Sequence, residues 1–192
     1  MKLNLQLTGI QPMIQHNGRL ANPLDPWTRQ LKTLTSKRRK TDEDLVAIMR
    51  TEARGSCYET DDGLLGFPTA NVWRCIYDAA KAFKRGEDIK RGFHYEPVTP
   101  PLLVWGGQII GVDEWLEDPT HIDYRPMRVN SSKTMRARAI VPGWSCVHYF
   151  EVLEDVIDPR DLVPILERAG RLVGLGDSRP TYGTFSAEVG TE

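Results

Sequence analysis

The amino-acid sequence predicts an α+β fold in which an antiparallel sheet packs against helices. Three observations predict it: strict alternation of Leu3, Leu5 and Leu7 with polar residues, later segments with apolar side chains at helical spacing, and a run of strand-like segments between them. The chain has 192 residues, 40% hydrophobic and 27% charged, which suits one domain with a buried core, residues 1–192.

The alternation up to Gly9 marks a half-buried first strand. From Gln11 to Pro26, Pro12, Gly18, Pro23 and Pro26 interrupt the chain, so no regular element is expected. Residues 27–41 then read as a flexible basic arm inserted in the domain. Thr41 is a helix N-cap, with Asp42, Glu43 and Asp44 at the positive end of the dipole. Leu45, Ile48 and Met49 share one face of that helix, which ends before Gly55. A short strand over Cys57–Thr60 and a turn at Asp61-Asp62-Gly63 lead to a second helix from Pro68 or Thr69. Its stripe of Trp73, Ile76, Tyr77, Ala80 and Phe83 reads as core, and Gly86 stops it.

Strand candidates follow over Phe93–Val98, Leu102–Trp105, Gln108–Val112, Ile122–Val129, Thr134–Val141 and Trp144–Leu153. Asp158-Pro159 opens a third helix, Arg160–Leu172, with Leu162, Ile165, Leu166 and Ala169 inward. A glycine-rich stretch from Gly174 to Gly183 enters the last strand, Thr184–Val189. This order is the skeleton of a ferredoxin-like (RRM-like) antiparallel sheet with insertions, and an α+β sandwich of another strand order fits the same pattern.

Charge is unevenly spread. Residues 1–41 carry Lys2, Arg19, Arg29, Lys32, Lys37, Arg38, Arg39 and Lys40 against Asp25 alone, +7, which leaves −8 for residues 42–192 at a total of −1. The opening segment lacks a signal-peptide apolar core and no apolar run approaches the ~20 residues of a membrane span, so a cytoplasmic protein without a membrane partner is expected. Cys57, Cys75 and Cys146 form no C-x-x-C pair and read as core side chains of a reducing compartment. Asp61-Asp62 and Asp113-Glu114 are explained by a turn and a helix start, so no metal or cofactor is expected.

The glycine-rich stretch is the most specific segment. Gly174 and Gly176 permit positive φ and close backbone approach, successive N–H groups there can hold a phosphate oxygen, and Arg179 adds its planar fork. A plain helix cap followed by a tight turn explains the same glycines. In its helix, its run from Gly174 to Phe185 and its closing strand, the segment resembles the C-terminal glycine-rich loop of the RAMP superfamily, the ferredoxin-like RNA-binding proteins of CRISPR complexes. It departs from that loop in having Thr184 after Gly183, where the family has a second glycine pair. Over nearly its whole length the chain also resembles a group of small bacteriophage proteins, in blocks matching His16–Pro26 and Lys37–Asp42. The resemblance implies binding of single-stranded RNA or DNA through backbone contacts, in a homo-oligomer stacked along the strand, within the bacterial host cell.

The residues point the same way. Arg29, Lys32, Lys37, Arg38, Arg39 and Lys40 neutralise phosphates irrespective of base sequence. Trp27 and Tyr182 are candidate stacking platforms. Arg136 and Arg138 share one face of a strand and would line the groove with Arg179 if that face is the open side of the sheet. The expected function is therefore non-catalytic. Two alternatives stand beside it: a module that binds a host or CRISPR protein through the acidic remainder, and a metal-independent ribonuclease with His16 as the candidate base.

Overall fold

A computed structural model describes residues 1–96, 100–129 and 131–191. The chain is mixed α+β, with antiparallel sheets and six α-helices among the described residues. In chain order the strands are β1 (Lys2–Gly9), β2 (Met13–Ile14), β3 (Phe93–His94), β4 (Val104–Trp105), β5 (Gln108–Ile109), β6 (Ile122–Val129), β7 (Ser132–Val141), β8 (Trp144–Val152) and β9 (Phe185–Thr191). The helices are α1 (Pro26–Thr35), α2 (Asp42–Ser56), α3 (Thr69–Ala80), α4 (Gly86–Gly92), α5 (Val112–Trp115) and α6 (Pro159–Arg168).

The alternation in β1 puts Leu3, Leu5 and Leu7 on the buried face of a six-stranded sheet in the order β5-β4-β8-β1-β9. β1 sits between β8 and β9, antiparallel to both, with Leu5 opposite His148 on one side and Val189 on the other. β3 and β4 both pair with β8, near its end and its start. Helices α3 and α6 supply the second layer: Cys75, Ile76, Ala79, Leu162 and Ile165 join the three leucines in one apolar core. The opposite face of the sheet is open to solvent at Tyr149, Glu151 and Glu188.

A second, three-stranded sheet has the order β2-β7-β6 and is covered by α2. The carboxylate of Glu52, only 6% exposed, accepts the Ala137 N–H at 3.0 Å, and Ser56 Oγ accepts that of Ala139 at 3.0 Å. β7 therefore does not belong to the larger sheet. Arg136 and Arg138 do not face its open side.

The first part of the basic arm is helix α1, and Lys37–Lys40 lie in the turn between α1 and α2. Asp25 caps α1 by accepting the Trp27 N–H at 2.9 Å, and Pro26 occupies the first turn, where a missing N–H costs nothing. Trp27, Leu31 and Leu34 then fall on one half-buried stripe, and the helix packs on α2. The strand expected over Cys57–Thr60 reduces to a bridge between Glu59 and Leu65, because Gln15 accepts the Tyr58 N–H and Asn17 donates to the Cys57 carbonyl. α4 arises where a single helix up to Gly86 was expected: Lys84, at φ 58, breaks the chain between them. Of the strand expected over Phe93–Val98, Pro97 and Val98 lie outside the described residues.

Candidate nucleic-acid interface at the glycine-rich loop

α6 closes with a wide turn over Ala169–Val173, where the Gly174 N–H reaches back to the Ala169 carbonyl at 2.8 Å. The loop that follows is stitched to residues 12–14. The Gly183 N–H donates to the Pro12 carbonyl and the Asp177 N–H to that of Ile14, each at 2.8 Å. Gly176 holds φ +75, and a Cβ there would stand 2.3 Å from the Ile14 carbonyl oxygen. Its glycine is thus required by the close approach of β2. The Gly183 and Asp177 amides make the stitching, and those of Gly174, Leu175, Ser178 and Tyr182 bond within the loop or to the preceding turn; those of Gly176 and Arg179 have no acceptor among the described residues.

Beside the loop lies a cleft of ≈ 510 Å³, walled by residues 175–179 on one side and by His16, Tyr58, Asn71 and Arg74 on the other. Tyr58 Oη donates to the His16 carbonyl at 2.8 Å and fixes the segment that follows β2. Asn71 and Arg74 come from the first turns of α3. Arg179 is exposed and has no ion-pair partner among the described residues. Arg74 pairs with Asp78 at 2.9 Å on the solvent side. Asp177 is the one carboxylate of the cleft wall, and the Arg138 guanidinium lies 2.6 Å from its Oδ2. That oxygen receives no well-directed hydrogen bond, so the contact is an ion pair by proximity. His16 Nδ1 stands 3.8 Å from the same oxygen. Partial burial, and next the Arg138 charge, hold the His16 imidazole below its ordinary value. This shift favours the neutral imidazole.

The expected site residues separate into two groups. Gly176, Arg179 and His16 come together at the cleft, with Arg138 behind Asp177, while Gly174 is buried at the start of the loop and does not line it. Arg136 does not join them: its guanidinium pairs with Glu52 at 2.8 Å. Tyr182 accepts a hydrogen bond from Arg125 at 2.8 Å and carries that guanidinium over its ring at 4.6 Å, so one face is covered. Trp27 is half-buried beneath the Arg54 guanidinium, 4.9 Å from its centroid, and is not a free stacking platform.

The arm cations sit apart from the cleft. α2 spans roughly 20 Å from the turn at Lys37–Lys40 to Ser56, and Ser56 is the end that adjoins Asn17 and the cleft. Arg29, Lys32, Arg38 and Arg39 are exposed, Lys37 pairs with Asp44 at 2.5 Å, and Lys40 Nζ donates to the Lys37 carbonyl. The arm cations and the loop are thus separated by the length of α2, with Glu52 and Asp177 between them.

Tyr58, Asn71, Arg74 and Ser178 are cleft residues that the sequence did not single out. For Arg74 a signal existed: it follows Trp73 and precedes Tyr77 by three on the outer flank of α3. Among the described residues, no three His, Cys, Asp or Glu side chains group so as to hold a metal ion, and no helix is long and apolar enough to cross a membrane. No protein-family model matches the chain, and no curated protein matches it.

Proposed function

We propose that the protein binds single-stranded nucleic acid without cleaving it, with a backbone phosphate seated in the cleft between Arg179 and Arg74. The observation that carries this reading is the pairing of an unpartnered arginine with two free loop amides in a polar cleft. Amide donors and a guanidinium fork match phosphate oxygens, and neither reads base identity. The exposed arm cations would hold the same strand farther along, as a second and separate contact.

The ferredoxin-like reading of the fold is supported by the strand order β9-β1-β8 with β3 and β4 beyond, by antiparallel pairing throughout, and by α3 and α6 on one face. On this reading β3 and β4 together take the place of one strand of the motif. The resemblance of the loop to RAMP proteins, a phage origin and stacking of copies along the strand belong to the same proposal.

Fluorescence anisotropy of labelled oligonucleotides across a salt series tests it. Affinity should fall with salt by a log–log slope of about −0.7 for each phosphate contacted, and Arg179→Glu should weaken binding roughly tenfold or more. Salt-independent affinity, or none, would dismiss the proposal. A second reading, metal-independent RNA cleavage, draws on the neutral imidazole of His16 in the same cleft, able to accept a proton from a ribose 2′-hydroxyl. Incubation with labelled RNA decides it: cleavage by the parent protein that His16→Ala abolishes would favour this reading, and intact RNA would exclude it.

A further inference from the structure

On the outer flank of α3, adjoining the cleft, Trp73 and Tyr77 stack with centroids 5.4 Å apart and ring planes 3° from parallel. Three cations surround Tyr77: Arg74, Lys81 and Lys90 lie 5.4, 4.3 and 5.3 Å from its centroid. On the other side of Trp73, Tyr95 stands 6.4 Å away at 48°. The two rings flank a recess of ≈ 330 Å³ with Lys90 at its rim. Trp73 is fixed there, its Nε1 donating to the Phe93 carbonyl at 2.7 Å. Arg74 belongs both to this group and to the cleft wall.

We infer that this recess is a nucleobase slot, and that a single strand leaving the cleft runs across α3 toward α4 with one base packed in the recess against Trp73 and Tyr95. The inference rests on the nucleic-acid reading above and adds a path and a second contact to it. Aromatic walls accept any base by stacking, and the cations set along Tyr77 match the phosphates on either side. The carboxylates already paired with these cations do not prevent it. Asp78 and Glu87 make exposed ion pairs with Arg74, Lys81 and Lys90, which a polyanion displaces at little cost. The open face of the large sheet offers no such match, since it presents Glu151 and Glu188.

Two oligonucleotides separate the parts: a tetranucleotide, and one of about 12 nucleotides able to reach from cleft to recess. The double substitution Lys81→Glu with Lys90→Glu, at exposed positions that leave the fold intact, should weaken the longer one by about tenfold or more and leave the shorter unchanged. Photocrosslinking of the unaltered protein with a 5-iodouridine oligonucleotide should map to Trp73 or Tyr95. Unchanged affinity for the longer strand, with crosslinks elsewhere, would overturn the path and leave the cleft standing. Failure of the unaltered protein to bind either oligonucleotide would instead overturn the reading beneath it. Equal competition by polyglutamate would overturn the assignment to nucleic acid.

Discussion

Glu52 shows how a single buried carboxylate disposes of groups that looked available for a ligand. Its two oxygens accept from Arg136 at 2.8 Å and from the Ala137 amide at 3.0 Å, and it is 6% exposed. Glu52→Ala should cost about 2 kcal/mol by stranding a buried donor, read as a lower urea midpoint with an unchanged slope. An unaltered midpoint would mean that water replaces the carboxylate. Gly176→Ala is the corresponding test of the loop. A Cβ 2.3 Å from the Ile14 carbonyl, at φ +75, must push the loop off β2. The expected loss is ~1–3 kcal/mol, with weaker oligonucleotide binding at the distorted cleft. The thiols give a third outcome. Burial pushes Cys57 and Cys75 up to about 12 and Cys146 up as well, so none is a thiolate at neutral pH. Native protein should leave a colourless aromatic disulfide reagent unreacted until denaturant is added.

At the scale of elements, α1 and α2 form a pair whose basic turn is distant from the loop. Replacing Arg38 and Arg39 by Ser should leave stability within about 0.5 kcal/mol, because both are exposed and cap nothing. Binding to a long oligonucleotide should lose about 0.7 of salt slope for each of the two that meets a phosphate, whereas a tetranucleotide held at the cleft should be indifferent. Salt titrations of both proteins decide it. Much of this element was legible in the sequence: Asp25-Pro26 is a helix start, and Trp27, Leu31 and Leu34 keep helical spacing. The surrounding prolines obscured it, although Pro26 in a first turn starts a helix rather than breaking one. β1, β6 to β9 and α2 follow their local patterns, since alternation or capping decides them before tertiary contact. The failures are non-local. Gln15 and Asn17 satisfy the backbone at Tyr58 and Cys57 from more than forty residues away in the first case, 43, and 40 in the second. Arg136 meets a partner 84 residues distant, and no local pattern reports such a pair. Half of the cleft could be read from its glycines and Arg179. The other half, Asn71 and Arg74, was hidden in a helix whose aromatic residues suggested only a core.

Across the whole molecule, the helical layer and the large sheet meet at a polar point inside the core. His148 on β8 is fully buried; its Nδ1 shares a hydrogen bond with Thr69 Oγ1 of α3 at 3.0 Å, and its Nε2 lies 3.2 Å from Cys146 Sγ. The trio has the residue types of a nucleophilic site, but His148 is fully buried and burial keeps the thiol protonated. Its consequence is for stability. Desolvation lowers the imidazole from 6.5 to about 4 in the folded protein. Above pH 6.5 neither state binds the proton and this group is silent. Between 6.5 and about 4 the unfolded chain takes up a proton that the folded chain refuses, so stability falls by up to about 1.4 kcal/mol per pH unit, roughly 3 kcal/mol in all, and levels off below. His16 adds a slope of the same sign, which a His16→Ala background removes. Urea midpoints measured through this window should therefore decline steeply in that background and flatten when His148→Gln is added, since an amide can keep the bond to Thr69 without titrating. An equally steep decline in both proteins would assign the acid sensitivity of this window to groups other than His148; Asp158, which Arg160 holds down to about 2, loses its contribution only at lower pH, below its ordinary value of 3.8. The joint between the layers would then be insensitive to pH.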